Sequence, residues 1–267
     1  MAVDDWRRVI DDGAALGVRM VQFIGGEPTL HPDLPCLVEH VLDQCVAVEV
    51  FTNLLRVTPR MWDIFARPGV RLATSYYTDD AGQHETITKR PGSHAHTTAN
   101  IVEAVRRSIP LRVGLIDITD DQRTEQARRH LAALGVTNVG TDQLRQVGRG
   151  VREQRPGVSQ LCGACAHGKV AVAPNGDVWP CVFARWLSLG NVRMVRLAEI
   201  LVGQAAGNAR RELARSVHAK CNPNTPSKCG PESRCDPSKS SCSPHCPPSY
   251  HSDPKRCWPY YYEEKPK

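Results

Sequence analysis

Residues 18–24 (VRMVQFI) form a short apolar, β-branched run that stops at Gly25-Gly26, and comparable runs recur at 46–52, 70–75, 111–118 and 137–147. Between them lie segments whose apolar residues repeat at helical spacing, at 33–44, 59–66, 97–107 and 124–134, and a further one at 4–16 opens the chain. A long polar connection separates the run at 70–75 from the helical segment at 97–107. Five strands alternating with helices predict an α/β fold with a parallel sheet, closed or open, whose chemistry sits at the C-terminal ends of the strands. No strand precedes the first helix, which is unusual for a domain built of βα units.

The remaining sequence breaks this pattern. Residues 148–160 dissolve into Gly, Arg, Gln and Pro, a boundary signal. Short apolar runs at 170–173 and 178–180 then flank Pro174-Asn175-Gly176-Asp177, the signature of a hairpin, and helical spacing returns at 195–201 and 210–218. The last 47 residues contain no Ala, Val, Leu, Ile, Met or Phe but six Cys, ten Pro and eight Ser. Such a segment cannot bury enough apolar surface to offset its ordering entropy, so it is either disordered or tied down by ligands to a metal or cluster. The expected division is 1–150, 151–220 and 221–267.

Composition narrows the function. The net charge is +6 over 267 residues, with the basic residues scattered and not gathered in a stripe with aromatics, which argues against a nucleic-acid partner. No apolar run approaches the roughly 18 residues of a membrane span, so no membrane partner is expected. The N-terminus has no basic segment followed by an apolar core, and a reducing cytoplasm is the expected location. Eleven cysteines in that setting point to metal and not to disulfides, and nine of them fall between Cys162 and Cys257. Cys36 and Cys45 lie apart on a helical segment, as small buried hydrophobes.

Two constellations carry chemistry. Gly25-Gly26-Glu27-Pro28 ends a buried strand, where glycines admit a ligand close to the backbone and a carboxylate can hold an ammonium group. Set in VQFIGGEPTLHPDL, it resembles the second-strand motif of radical SAM enzymes, which binds the amino group of S-adenosylmethionine (SAM). The resemblance continues at Phe51-Thr52-Asn53, at Ser75 with His84 and Arg90 behind it, and at Val147-Gly148-Arg149-Gly150, which is similar to the family's final barrel strand. It implies that Gly25, Gly26, Glu27, Pro28 and Asn53 bind SAM and that Ser75 and Arg90 hold its carboxylate. A turn residue at Asn53, a loop hydroxyl at Ser75 and a solvated cation at Arg90 are the alternatives.

The second constellation is Cys162-x2-Cys165 followed by Gly176-x4-Cys181, then Gly190-Asn191 and Leu197-x-Glu199-Ile200. It is similar to the SPASM domain, which follows radical SAM barrels and binds auxiliary iron-sulfur clusters. Thiolates from a loop and from the end of a hairpin are the ligands iron clusters need; a zinc ribbon uses similar knuckles and is the alternative. By position the resemblance assigns Cys162, Cys165, Cys181 and Cys246 to one 4Fe-4S cluster, and Cys229, Cys235, Cys242 and Cys257 to a second. Cys221 is left over, and His245 and His251 could each replace a thiolate.

The resemblance implies a partial (β/α) TIM-like barrel lacking its first strand, followed by a small Cys-rich SPASM-like domain. The family's Cys-x3-Cys-x2-Cys loop, whose cluster reduces SAM, has no counterpart in the chain, so Met1 is expected to be an internal start and the chain as written to be inactive in SAM cleavage. The implied function is modification of a peptide or protein side chain through a 5'-deoxyadenosyl radical, with an external electron donor. The rival is a non-catalytic cluster- or zinc-binding module that recognises a peptide. In members that mature sulfatases an Asp follows the Gly-x4-Cys cysteine; here the position is Val182, which implies a peptide maturase instead, although Asp117 or Asp177 could supply a carboxylate. No general base is singled out.

Overall fold

The computed structural model describes residues 1–119, 121–145, 147, 150, 156–158, 161, 165–166 and 168–220, the side chains of 215–220 excepted. The chain divides at Leu144–Arg145 into two compact units.

The first unit runs α1 (Val3–Ala15), β1 (Met20–Phe23), α2 (Leu34–Asp43), β2 (Ala47–Phe51), α3 (Pro59–Phe65), β3 (Val70–Tyr76), α4 (Ala81–Thr88), α5 (Ser93–Arg106), β4 (Leu111–Asp117), α6 (Thr124–Ala133) and β5 (Asn138–Gln143). The strands form one parallel sheet in the order β1-β2-β3-β4-β5. Alternation along each strand sorts its side chains between two faces. Val48, Val50, Leu72, Val113 and Leu115 turn to one face and pack with Leu37, Val38 and Val41 of α2, Phe65 of α3, Ile101 of α5 and Leu131 of α6 in one apolar cluster. The opposite face is polar at its middle, where Glu49 of β2 and Arg112 of β4 lie almost wholly buried.

Helix starts follow local chemistry. Thr58 accepts from the Met61 amide ahead of Pro59, and Asp80 accepts from the Gln83 amide. The second of these corrects the sequence reading. The segment read as a long polar connection holds α4, and α5 begins four residues before the expected start at 97. α4 lacks an apolar stripe because the one residue it buries is His84.

The second unit contains a three-stranded antiparallel sheet, β6 (Ala171–Val172), β7 (Asp177–Trp179) and β8 (Gly190–Asn191), followed by α7 (Leu197–Val202) and α8 (Gln204–Lys220). The hairpin turns at Gly176, whose φ of +92° favours glycine. The third strand, which periodicity did not announce, is two residues long and rests on Ile200 through Gly190. Among the described residues no helix is long and apolar enough to cross a membrane.

Candidate functional site

The Gly-Gly-Glu-Pro turn leaves the C-terminal end of β1 with Gly25 at φ +95° and Gly26 at φ +51°, and a Cβ on either would meet nothing within 4 Å. The turn is therefore open on that side. Pro28 is buried at the start of a 3-10 turn over Pro28–Leu30. The Glu27 carboxylate is held from both sides. Its Oε1 accepts from the Thr29 amide (3.2 Å), the Thr29 hydroxyl (2.8 Å) and the Thr52 hydroxyl (2.6 Å), and its Oε2 from the Asn53 amide (2.8 Å). With one donor against three, Oε2 retains the larger acceptor capacity.

Asn53 enters this arrangement through its backbone. Its side-chain Oδ1 accepts from the Leu55 amide (2.8 Å), closing an Asx turn, and its carbonyl accepts from Thr97 Oγ1 of α5 (3.1 Å). Asn100 of α5 likewise donates to the Leu54 carbonyl (2.7 Å). Gly25, Gly26, Glu27, Pro28 and Asn53 thus share one edge of the sheet. Ser75 lies one strand further, half-buried and paired in register with Gly114. Arg90 is exposed on the connection between α4 and α5, where the described hydrogen bonds engage its backbone only. Thr52 and Thr29, which the sequence reading passed over as ligand-positioning groups, carry most of the Glu27 bonds.

On the polar face of the same sheet Arg112 donates twice to Glu49, Nε to Oε2 (2.6 Å) and Nη2 to Oε1 (2.5 Å). Arg71 Nε lies 3.1 Å from Glu49 Oε2, and Gln22 donates to Oε1. Burial alone pushes the Glu49 carboxyl up, but these bonds and the charges of Arg112 and Arg71 outweigh it and hold the group below the usual carboxylate range. Arg112 also stacks over Phe51 with its guanidinium carbon 5.5 Å from the ring centre.

In the second unit Cys165 and Cys181 face each other with their sulfurs 3.0 Å apart, unlinked. Cys165 is buried with Leu161, Ala184 and Leu213, and Phe183 packs on the same cluster. The hydrogen bond between the thiols, in which either sulfur could donate, drives them apart in acidity: Cys165 is pushed up, with burial adding to the effect, and Cys181 is pushed down. The Phe183 and Ala184 amides and the Lys169 ammonium also favour the Cys181 thiolate. Two converging sulfurs, one bonded by backbone amides, fit a thiolate-ligated iron or zinc centre. Among the described residues no group of three or more His, Cys, Asp or Glu gathers to hold a metal ion. Cys162, Cys229, Cys235, Cys242, Cys246 and Cys257, like Gly148 and Arg149, lie outside the described residues.

Residues 1–130 match the radical SAM superfamily and residues 162–236 match SPASM, an iron-sulfur cluster-binding domain. A PqqA peptide cyclase of Streptomyces rochei is 26% identical over 256 residues, covering 79% of this chain and 70% of that protein; one of Rhodopseudomonas palustris is 28% identical over 120 residues, 43% of this chain and 31% of that one. The fold resembles the crystal structure of Streptococcus suis SuiB, with a TM-score of 0.67 at 14% identity over 79% of this chain and 62% of SuiB. It also resembles anSMEcpe with bound AdoMet, with a TM-score of 0.59 at 12% identity over 80% of this chain and 70% of that one. The chain therefore spans about 62% of SuiB and 31% of the Rhodopseudomonas cyclase. The five-stranded parallel sheet is a partial TIM-like barrel of the kind these structures contain, and the chain carries a radical SAM superfamily domain over residues 1–130 followed by an iron-sulfur cluster-binding SPASM domain over residues 162–236.

Proposed function

We propose that this chain serves SAM-dependent radical modification of a peptide, within a division of 1–150 for the barrel portion, 151–220 for the hairpin and helices, and 221–267 for the Cys/Pro-rich tail. The observation that carries the reading is the succession of a radical SAM match and a SPASM match in one chain. Relatives described as PqqA peptide cyclases, and a SuiB structure bound to its precursor peptide SuiA, favour a peptide as substrate.

Gly25, Gly26, Glu27, Pro28 and Asn53 would receive the amino end of SAM, with Glu27 fixed by Thr29 and Thr52 so that Oε2 is available to an ammonium group. Ser75 and Arg90 would take the SAM carboxylate. Cys162, Cys165, Cys181 and Cys246 would ligate one 4Fe-4S cluster, and Cys229, Cys235, Cys242 and Cys257 another. Iron-sulfur clusters bound there supply one-electron transfer, drawing on an external donor. Absence of a carboxylate at Val182 favours a peptide maturase over sulfatase maturation. A cytoplasmic location suits cysteines kept reduced.

The test is metal content after anaerobic reconstitution of the full chain, where two clusters of this type predict about eight irons per chain. Iron near that count, with the visible absorption of 4Fe-4S clusters, supports the reading. One or two equivalents of zinc and no iron would instead identify a zinc-binding peptide-recognition module.

A further inference from the structure

In the first unit, beside Ser75, three histidines on three helices close around Tyr76 of β3. His84 of α4, His94 of α5 and His130 of α6 stand with ring centres 5.4, 5.9 and 6.3 Å from that of Tyr76, His130 stacked nearly parallel to it. His94 is 5.4 Å from His84 and 6.0 Å from His130. Tyr76 is fully buried, His84 is 2% exposed, and the Nε2 atoms of His84 and His130 are buried with no hydrogen-bond partner.

Counting protons fixes the form of His84. Thr88 Oγ1 lies 2.9 Å from the His84 carbonyl, 2.7 Å separates the Thr88 and Ser93 hydroxyls, and Ser93 Oγ is 3.1 Å from His84 Nδ1. Two hydroxyls have two protons for these three contacts, so all three are hydrogen bonds only if His84 Nδ1 carries the third. His84 Nε2 is then a bare acceptor in a pocket without a donor. A proton added there would point at no acceptor, beside two further imidazoles.

His94 can accept a proton more easily. Its Nε2 lies 2.8 Å from the Tyr76 hydroxyl, which is also 3.3 Å from Thr98 Oγ1. A protonated His94 would donate to Tyr76, whose own proton would turn to Thr98. The charged groups around it divide in sign. Asp79 and Asp80 of the β3–α4 connection and Glu85 of α4 favour the cation, while His130 opposes it. Asp79 is held by Arg123 (2.9 and 2.8 Å), Asp80 caps α4, and Glu85 accepts from the Gly92 amide. Tyr77 completes the surroundings of His84 at 5.5 Å.

We propose that His84 and His94, packed with His130 around Tyr76, form an acid-sensitive latch that seals α4 and α5 over Tyr76 while both are neutral and releases both helices when both are protonated. Release would propagate, because α5 also carries Thr97 and Asn100, which hold the Asn53–Leu54 loop that rests on Glu27. Burial, with His94 beside it, pushes His84 down to about 4, and burial and His130 lower His94. Each folded-state value lies below that of the unfolded chain, so the contribution is complete above about pH 6.5 and is lost as the pH falls toward His84's own value.

Hydrogen exchange of the full chain, expressed as protection factors at about pH 7.5 and about pH 5, tests the latch without reference to any cofactor. Residues 81–106 should lose protection by about tenfold per pH unit for each proton taken up. Peptides from α1 and α2 should hold theirs. His84→Gln and His94→Gln should each flatten the acid response of α4 and α5. Unchanged protection of 81–106 in the natural chain at the lower pH, or an equal loss throughout the first unit, would overturn the latch whether or not the variants fold. So would an undiminished acid response in both variants.

Discussion

Thr52 Oγ1 donates to Glu27 Oε1 across 2.6 Å, joining the turn that ends β1 to the loop that ends β2 through a residue 1% exposed. The same oxygen accepts from the Leu54 amide at 3.2 Å. One hydroxyl therefore orders both loops.

Thr52→Val keeps the volume and removes both bonds. The Leu54 amide and part of the Glu27 carboxylate would lose partners, which costs about 1–3 kcal/mol. Urea unfolding should report a loss in that range, and Thr52→Ser, which keeps the hydroxyl, should lose less. Equal losses for Val and Ser would assign the effect to the methyl group and not to the bonds.

Two glycines should differ in their tolerance of a side chain. Gly25 has φ +95° but open space around it, so Gly25→Ala meets backbone strain alone, of order 1–2 kcal/mol. Gly176 has φ +92°, and a Cβ there would sit 2.6 Å from Asn191 Oδ1 and 2.8 Å from Arg193 Cγ. Gly176→Ala should therefore cost the more of the two, by about 1 kcal/mol or more once the crowding is added. Thermal unfolding of the two variants decides the order.

The parallel sheet was legible because each strand is a compact apolar run ended by turn chemistry, as residues 18–24 are ended by Gly25-Gly26. The hairpin around Asn175-Gly176 was legible for the same local reason. α4 was not, since its sole buried side chain is a histidine, and β8 is too short to show a period. The polar groups that organise the sheet were harder still. Glu49 and Arg112 read as ordinary charges 63 positions apart, and only the register across β2, β3 and β4 brings them together. The same holds for Tyr76 and its histidines, which lie on four different elements.

Buried on the polar face of the sheet, the Glu49–Arg112 pair should behave asymmetrically. Arg112→Met leaves a carboxylate at 1% exposure with Arg71 and Gln22 as remaining partners, and losing one member of such a pair costs about 3–5 kcal/mol. Adding Glu49→Leu removes the stranded charge and should recover part of that loss. The natural pair also sets an acid limit. Its carboxyl is held low in the folded chain, so its contribution is full above the unfolded carboxylate value of about 4.3 and disappears as the pH falls through the lower folded value. Denaturant midpoints of the single and double variants test the asymmetry, and a double variant weaker than Arg112→Met would refute it.

The cysteines offer the sharpest contrast between two thiols of one chain. Cys36 is half-buried on α2 and donates its thiol to the Asp33 carbonyl at 3.1 Å, a local bond that uses the group up. Cys181 faces Cys165 at 3.0 Å with backbone amides of Phe183 and Ala184 turned to its sulfur, the environment that favours a thiolate and hence a metal ligand. Cys36→Ala should leave the metal content of the reconstituted chain unchanged. Cys181→Ala should remove about one cluster's worth, about four irons, because three remaining ligands hold a 4Fe-4S cluster poorly. Iron and sulfide analysis of both variants beside the natural chain measures the difference. Retention of full iron in Cys181→Ala, or an equal loss in Cys36→Ala, would remove Cys181 from the ligand set.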